Sequence, residues 1–196
     1  MLPEVDPELR FITRDEADKL VAALPPHLAV MAEFSLQTGL RMSNVTKMKW
    51  SQLDLSKKHA WVNAADAKMR RAIPVPLSDV AIRLILSQMG KHDEYVFAYE
   101  GKVITKTSCY AWYAAMKQVG INNFRWHDIR RTWASWHVQN GTTLHELKEL
   151  GGWADFKSVL VYAHLGVQHL AKRVNLPTGS ATLTATQAVH EVSKAA

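Results

Sequence analysis

Apolar residues recur at helical intervals along most of this chain and alternate in one short middle stretch, which predicts a mainly helical protein with a small sheet. Thr13 and Glu16 have the spacing of a capping box, in which hydroxyl and carboxylate each satisfy a backbone donor of the first turn. Ala17, Leu20, Val21 and Leu24 follow on one helical face, and Pro25-Pro26 ends the helix. From Leu28 the run LAVMAEFSLQTG is apolar almost all round, which suits a helix buried on several sides and stopped by Gly39.

Between Trp50 and Leu77 the period shortens. SQLDL, AWVNAADAK and RAIPVPL predict three short antiparallel strands, with turns at 56–59 and 68–71. Pro74 and Pro76 confine the third strand to an edge or to its exposed side. Ser78-Asp79 opens a helix with Ile82, Ile85, Leu86 and Met89 on one face, ended by Gly90. YVFAYEG at 95–101 fits either a strand or a buried loop.

The second half reads as helices divided by glycines. One covers 106–118, opening at Thr107 or Ser108 and closed by Gly120; the next begins near His127 and breaks at Asn140-Gly141. Thr142 or Thr143 caps a third, whose Leu144, Leu147 and Leu150 face the core, and Gly151-Gly152 ends it and presents Trp153 from a turn. A helix over 156–165 carries Tyr162, and a last short helix runs to about Arg173. The expected class is α+β, mainly α-helical, with a small three-stranded antiparallel sheet at one side.

The length, 196 residues, suits one well-packed domain with flanking segments: a linker at 1–12, a domain at 13–175 and a tail at 176–196. The tail is rich in Thr, Ala and Ser; it is either disordered, or its 183–192 portion is a helix that docks on another copy. No apolar run approaches eighteen residues, so no membrane helix is expected. The N-terminus is acidic and has no export pattern, and the lone Cys109 fits a reducing compartment, which together place the protein in the cytoplasm. A net charge of +6 and a pI near 9.5 favour a polyanionic partner.

Candidate chemistry gathers in HDIRRTWASWHVQNGTTLHELKELGGWADFKSVLVY, residues 127–162. His127 and Arg130, three apart on one helical face, can both meet one anion, whereas Arg131 points elsewhere. Arginine offers a planar fork matched to two phosphate oxygens, and a neutral histidine can move a proton near neutrality. A tyrosine, with a pKa of about 10, needs a base or nearby cations before it becomes a nucleophile. Taken singly, each residue also fits a structural role: Tyr162 as a half-buried helix tyrosine, Trp153 as a core anchor, His127 as a cap, the arginines in ion pairs. The nine histidines form no spacing typical of a metal site.

In order and spacing, His127, Arg130, Trp153 and Tyr162 resemble the second half of the catalytic domain of tyrosine recombinases, the phage-integrase family. TGLRMSN at 38–44 resembles the family's first arginine box, with Arg41 in the arginine position and Asn44 where an acidic residue is usual. Lys68, eight residues before Pro76-Leu77, takes the place of the hairpin lysine; Arg70 and Arg71 compete for it.

The resemblance implies a DNA strand-transferase that works without metal, ATP or another cofactor. Tyr162 would attack a phosphodiester to give a 3′-phosphotyrosyl link, with Arg41 and Arg130 on the non-bridging oxygens, His127 and Trp153 adding hydrogen bonds, and Lys68 protonating the leaving 5′ oxygen. The implied partners are double-stranded DNA and, on it, three further copies in a homo-tetramer, with the isolated domain monomeric. Family members commonly carry a further N-terminal helical domain, so either a fragment of a longer recombinase or a minimal recombinase is expected here, with the fragment favoured. Two other readings stay open: a DNA-binding or assembly module of the same fold with little catalysis, and a topoisomerase-like relaxing enzyme.

Overall fold

The computed structural model describes residues 9–63 and 72–166. Helix α1 (Arg14–Ala23) starts at the expected capping box, with Thr13 N donating to Glu16 Oε2 at 2.7 Å and Glu16 N to Thr13 Oγ1 at 3.2 Å. α2 (Pro26–Thr38) begins two residues earlier than its apolar run because Pro26 occupies the first turn, where its missing N–H loses no bond. Gly39 ends α2 in the left-handed conformation, φ 63°. A short α3 (Met42–Thr46), too brief to show a period, follows directly, with Arg41 at its N-cap.

Strands β1 (Leu53–Asp54), β2 (His59–Val62) and β3 (Ile73–Pro76) form the expected antiparallel sheet in the order β1-β2-β3. β3 is an edge, with Pro74 opposite Trp61 and Pro76 opposite His59, as two residues without amide donors require. The 68–71 turn lies outside the described residues. The ambiguous 95–101 segment resolves as a hairpin, β4 (Ala98–Tyr99) paired with β5 (Lys102–Val103).

Three helical expectations need correction. α4 (Asp79–Leu86) stops before Gly90; Ala81 and Ile85 are its buried residues, while Leu86 and, past its end, Met89 stay exposed. α5 (Tyr110–Gln118) opens at Cys109, because the Thr107 hydroxyl contacts Met42 Sδ at 2.9 Å instead of capping a helix. No continuous helix covers 156–165: α8 (Lys157–Leu160) is one turn, Tyr162 sits in a bend, and a 3₁₀ turn (Ala163–Gly166) follows. Bonds from Tyr162 N to Val159 O and from Leu165 N to Tyr162 O tighten the chain there to three-residue spacing. The helix expected up to Arg173 and the 176–196 tail lie outside the described residues.

α6 (Trp126–Gln139) is the element the rest surrounds, packing along α2 and touching α7 (Leu144–Gly151) and the last 3₁₀ turn. Its N-terminal half, Trp126 and Ile129, belongs to a large core shared with α1, α2, the sheet, α4 and α5. Its C-terminal half, Trp133, Ala134 and Val138, joins a smaller core with Leu147, Val159 and Tyr162. The residue between these halves is Arg130. Among the described residues no helix is long and apolar enough to cross a membrane.

Candidate active site

Arg130 is 6% exposed, and its charge is held by neutral groups. Nη1 donates to the Gly39 carbonyl and Nη2 to the Gly151 carbonyl, each at 2.6 Å, and Cζ lies 4.0 Å from the centre of the Trp153 ring. The end of α2, the end of α7 and the turn after it therefore converge on one guanidinium. Its remaining N–H donors are left for a further acceptor. Burial first, and then the like charge of Arg41, lower its pKa to about 10, so it remains a cation at neutrality.

Arg41 is half-buried at the start of α3, and its carbonyl accepts from Asn44 N at 2.9 Å and Val45 N at 3.1 Å. Among the described residues neither arginine has a carboxylate partner. Two cations close enough to repel, one of them desolvated, make a site suited to an anion. Asn44 is buried, and among the described residues its Oδ1 has no hydrogen-bond partner.

His127 lies on the exposed side of α6, one turn before Arg130. Partial desolvation and then the Arg131 charge hold its pKa below the ordinary value, so it is neutral at pH 7. The start of α6 is fastened by Asp128, 1% exposed, which accepts from Arg125 N at 2.8 Å and from Arg131 Nη1 at 3.0 Å. Arg131 thus turns its head to Asp128, yet its charge still reaches both His127 and Tyr162.

Tyr162 is 4% exposed, its ring 6.2 Å from that of Trp153. Burial raises its pKa above the ordinary phenol value, while Arg130 and then Arg131 pull it down. The fold therefore brings Arg41, Arg130, Trp153 and Tyr162 into one neighbourhood, with His127 one turn away. Lys68 lies outside the described residues, as do Arg70 and Arg71.

Several partners of this site went unread in the sequence. Gly39 and Gly151 looked like helix stops only, and nothing in a linear pattern signals that their carbonyls hold Arg130. Asp128 carried a weak signal, an acid at the third position of a helix. A cavity of about 830 Å³ lies elsewhere, between β3 and α7, with Glu146 and Glu149 in its wall, which suits no phosphate. Among the described residues no three His, Cys, Asp or Glu side chains converge as a metal-ligand set.

Residues 10–169 match the family model described as the phage integrase family. This chain belongs to that family. It is 38% identical over 177 residues to the integrase of Salmonella phage P22, covering 84% of this chain but 46% of that protein, so it spans about half the length of that relative. The catalytic domain of bacteriophage HP1 integrase has the same fold, with a TM-score of 0.66, 23% identity and coverage of 89% of this chain and 98% of that one. XerH recombinase, solved in a post-cleavage complex with its difH substrate, shares the fold at a TM-score of 0.65 and 16% identity, over 85% of this chain and 52% of that one.

Proposed function

We propose that this chain is the strand-transferring part of a site-specific DNA recombinase. The observation that carries the reading is the buried Arg130 acting on Tyr162 with Arg41 near it, neither arginine having a carboxylate partner among the described residues. A scissile phosphate between Arg41 and Arg130 would relieve their repulsion and occupy the free N–H groups of Arg130. The non-bridging charge that grows in the transition state then meets donors already fixed in place, each worth on the order of 3 kcal/mol.

In this reading the Tyr162 oxygen forms a bond to phosphorus as the bond to the 5′ oxygen breaks. His127, neutral at pH 7, is placed to take the phenolic proton or to hydrogen-bond the phosphate, and the Trp153 ring covers the guanidinium that holds it. Lys68 is assigned the proton delivered to the leaving 5′ oxygen. One phosphate ester replaces another, so attack by the 5′ hydroxyl of a partner strand reverses the step without ATP. A metal ion is not invoked, because the two arginines supply the positive charge.

The DNA surface is read from charge. Residues 101–127 contain Lys102, Lys106, Lys117 and Arg125 and no acid. Within this stretch the outer face of α5 shows Tyr110, 88% exposed, and Tyr113, 57% exposed. α5 is tied to the site around its start: Thr107 contacts Met42, the neighbour of Arg41, and Trp112 packs 5.0 Å from Trp126, the neighbour of His127. Assembly as a tetramer on DNA, from monomeric free domains, is part of the proposal, as is action on DNA in the cytoplasm.

The deciding experiment uses end-labelled duplex from the genomic flanks of the element, nicked so that the cleaved end diffuses away. Incubation without metal or ATP should give a denaturant-resistant, protease-sensitive adduct that Tyr162→Phe abolishes. An adduct that persists in the variant, or none from the full-length protein, overturns the assignment and leaves a binding module of the same fold.

A further inference from the structure

Trp133 follows Arg130 by one turn on α6 and is 4% exposed. Its ring lies flat against Gly39, where a Cβ would stand 2.3 Å from two of its carbons. That contact sets the position of the Gly39 carbonyl, the acceptor for Arg130 Nη1. In the other direction Trp133 stacks on Trp153, centroids 6.1 Å apart and planes 25° from parallel. The Trp153 ring in turn lies against Gly151, where a Cβ would meet it at 1.9 Å, and the Gly151 carbonyl accepts from Arg130 Nη2. One indole therefore backs both carbonyls that hold the Arg130 fork.

We propose that Trp133 is a positioning residue for strand transfer, setting the orientation of Arg130 by bracing the Gly39 carbonyl directly and the Gly151 carbonyl through Trp153. The inference rests on the reading of Arg130 as a phosphate-holding group. What the bicyclic ring adds is reach, from Gly39 on α2 to Trp153 beyond α7. Rings packed this closely resist small displacements, and a misplacement of about 1 Å at a reacting centre can cost about a hundredfold in rate.

The test compares Trp133→Leu and Trp133→Phe with Ile85→Ala, a cavity variant in the other core cluster, each checked for folding by chemical denaturation. Hydrogen exchange on the free protein reads the bracing without any chemistry. The amides of Gly39, Gly152 and Trp153, all hydrogen-bonded in the structure, should lose protection together in Trp133→Leu and keep it in Ile85→Ala. Single-turnover cleavage of the nicked duplex by the full-length protein should fall by about a hundredfold in Trp133→Leu, with DNA affinity near wild type and partial recovery in Trp133→Phe. The rise of that rate with pH should also move to higher pH, since a displaced Arg130 no longer favours ionised Tyr162.

Unchanged protection at the three amides, or a rate loss no greater than that of an equally destabilised Ile85→Ala protein, would overturn the proposal. Absence of an adduct from the wild-type protein would instead remove the strand-transfer reading, and the exchange measurement would still decide whether Trp133 braces the two carbonyls.

Discussion

The guanidinium of Arg130 and the carbonyl of Gly39, 91 residues apart in the chain, meet at 2.6 Å and lock the first arginine box to the histidine-arginine helix. The glycine is needed there on two counts. Its φ of 63° favours a residue without a Cβ, and the Trp133 ring occupies the place where that Cβ would be. The left-handed turn that stops α2 thus also aims a carbonyl at the buried cation and launches the chain toward Arg41.

Removing the Arg130 side chain should therefore injure both stability and chemistry. Arg130→Ala leaves the Gly39 and Gly151 carbonyls without their donors, at about 1–3 kcal/mol each where water does not replace them, and urea denaturation should register the loss. Adduct formation on the nicked duplex should become undetectable. Arg130→Lys should rescue neither property fully, because a single ammonium on a flexible stem does not reproduce a fork that spans two fixed acceptors. Full stability in Arg130→Ala would show that the two 2.6 Å contacts contribute nothing net.

Three glycine substitutions should separate backbone strain from crowding. Gly120→Ala meets open space at φ 74° and should cost only the left-handed penalty, about 1–2 kcal/mol. Gly151→Ala has no such backbone penalty but drives a methyl into Trp153, so its main effect should be slower cleavage as the ring leaves Arg130. Gly39→Ala combines both and should be the least stable of the three. Thermal unfolding midpoints and single-turnover rates measured on the same preparations would reveal any other ordering.

Stability should fall as the solution is acidified below neutrality, and His137 should account for part of the slope. Burial, and then the Arg14 charge, hold its pKa below 6.5, while its ring packs edge-on against Trp133 at 4.6 Å. The unfolded chain then binds the proton first. The contribution is complete above the unfolded value and is lost as pH falls through and below it. His137→Gln should flatten the change in denaturation midpoint between about pH 7.5 and 5.5. Some slope will remain, because His27 and His127 are lowered as well. An identical pH profile in the variant would exclude a role for His137.

On DNA, the outer face of α5 should divide its labour. Lys117→Ala should weaken binding to all duplexes alike and reduce the salt slope by about 1, as expected for the loss of a phosphate contact. Replacing Tyr110 and Tyr113 with alanine should leave the salt slope intact while lowering affinity for the preferred duplex more than for a scrambled one. Binding isotherms at several salt concentrations would count against the assignment if both variants behaved like wild type.

Much of this protein was legible as a line of residues. The capping box at Thr13, the three antiparallel strands and the glycine stops at Gly39 and Gly152 are set by contacts between residues close in the chain, which is why spacing alone predicts them. Family membership was legible too, since the arginine boxes and the Trp153 and Tyr162 positions recur as short motifs with their own local context. Spacing failed where a distant partner competes for the same group, as when Thr107 contacts Met42 rather than capping α5, or when the chain tightens around Tyr162 instead of continuing as a helix.

By itself the sequence determined the elements, the basic charge of residues 101–127 and the residue types available for phosphoryl transfer. Only the tertiary structure decided that Arg130 sits desolvated between two glycine carbonyls, that Arg41 repels it, and that Trp133 backs the whole arrangement. Burial and mutual repulsion depend on distances between residues brought together from far along the chain, and no local pattern carries those distances.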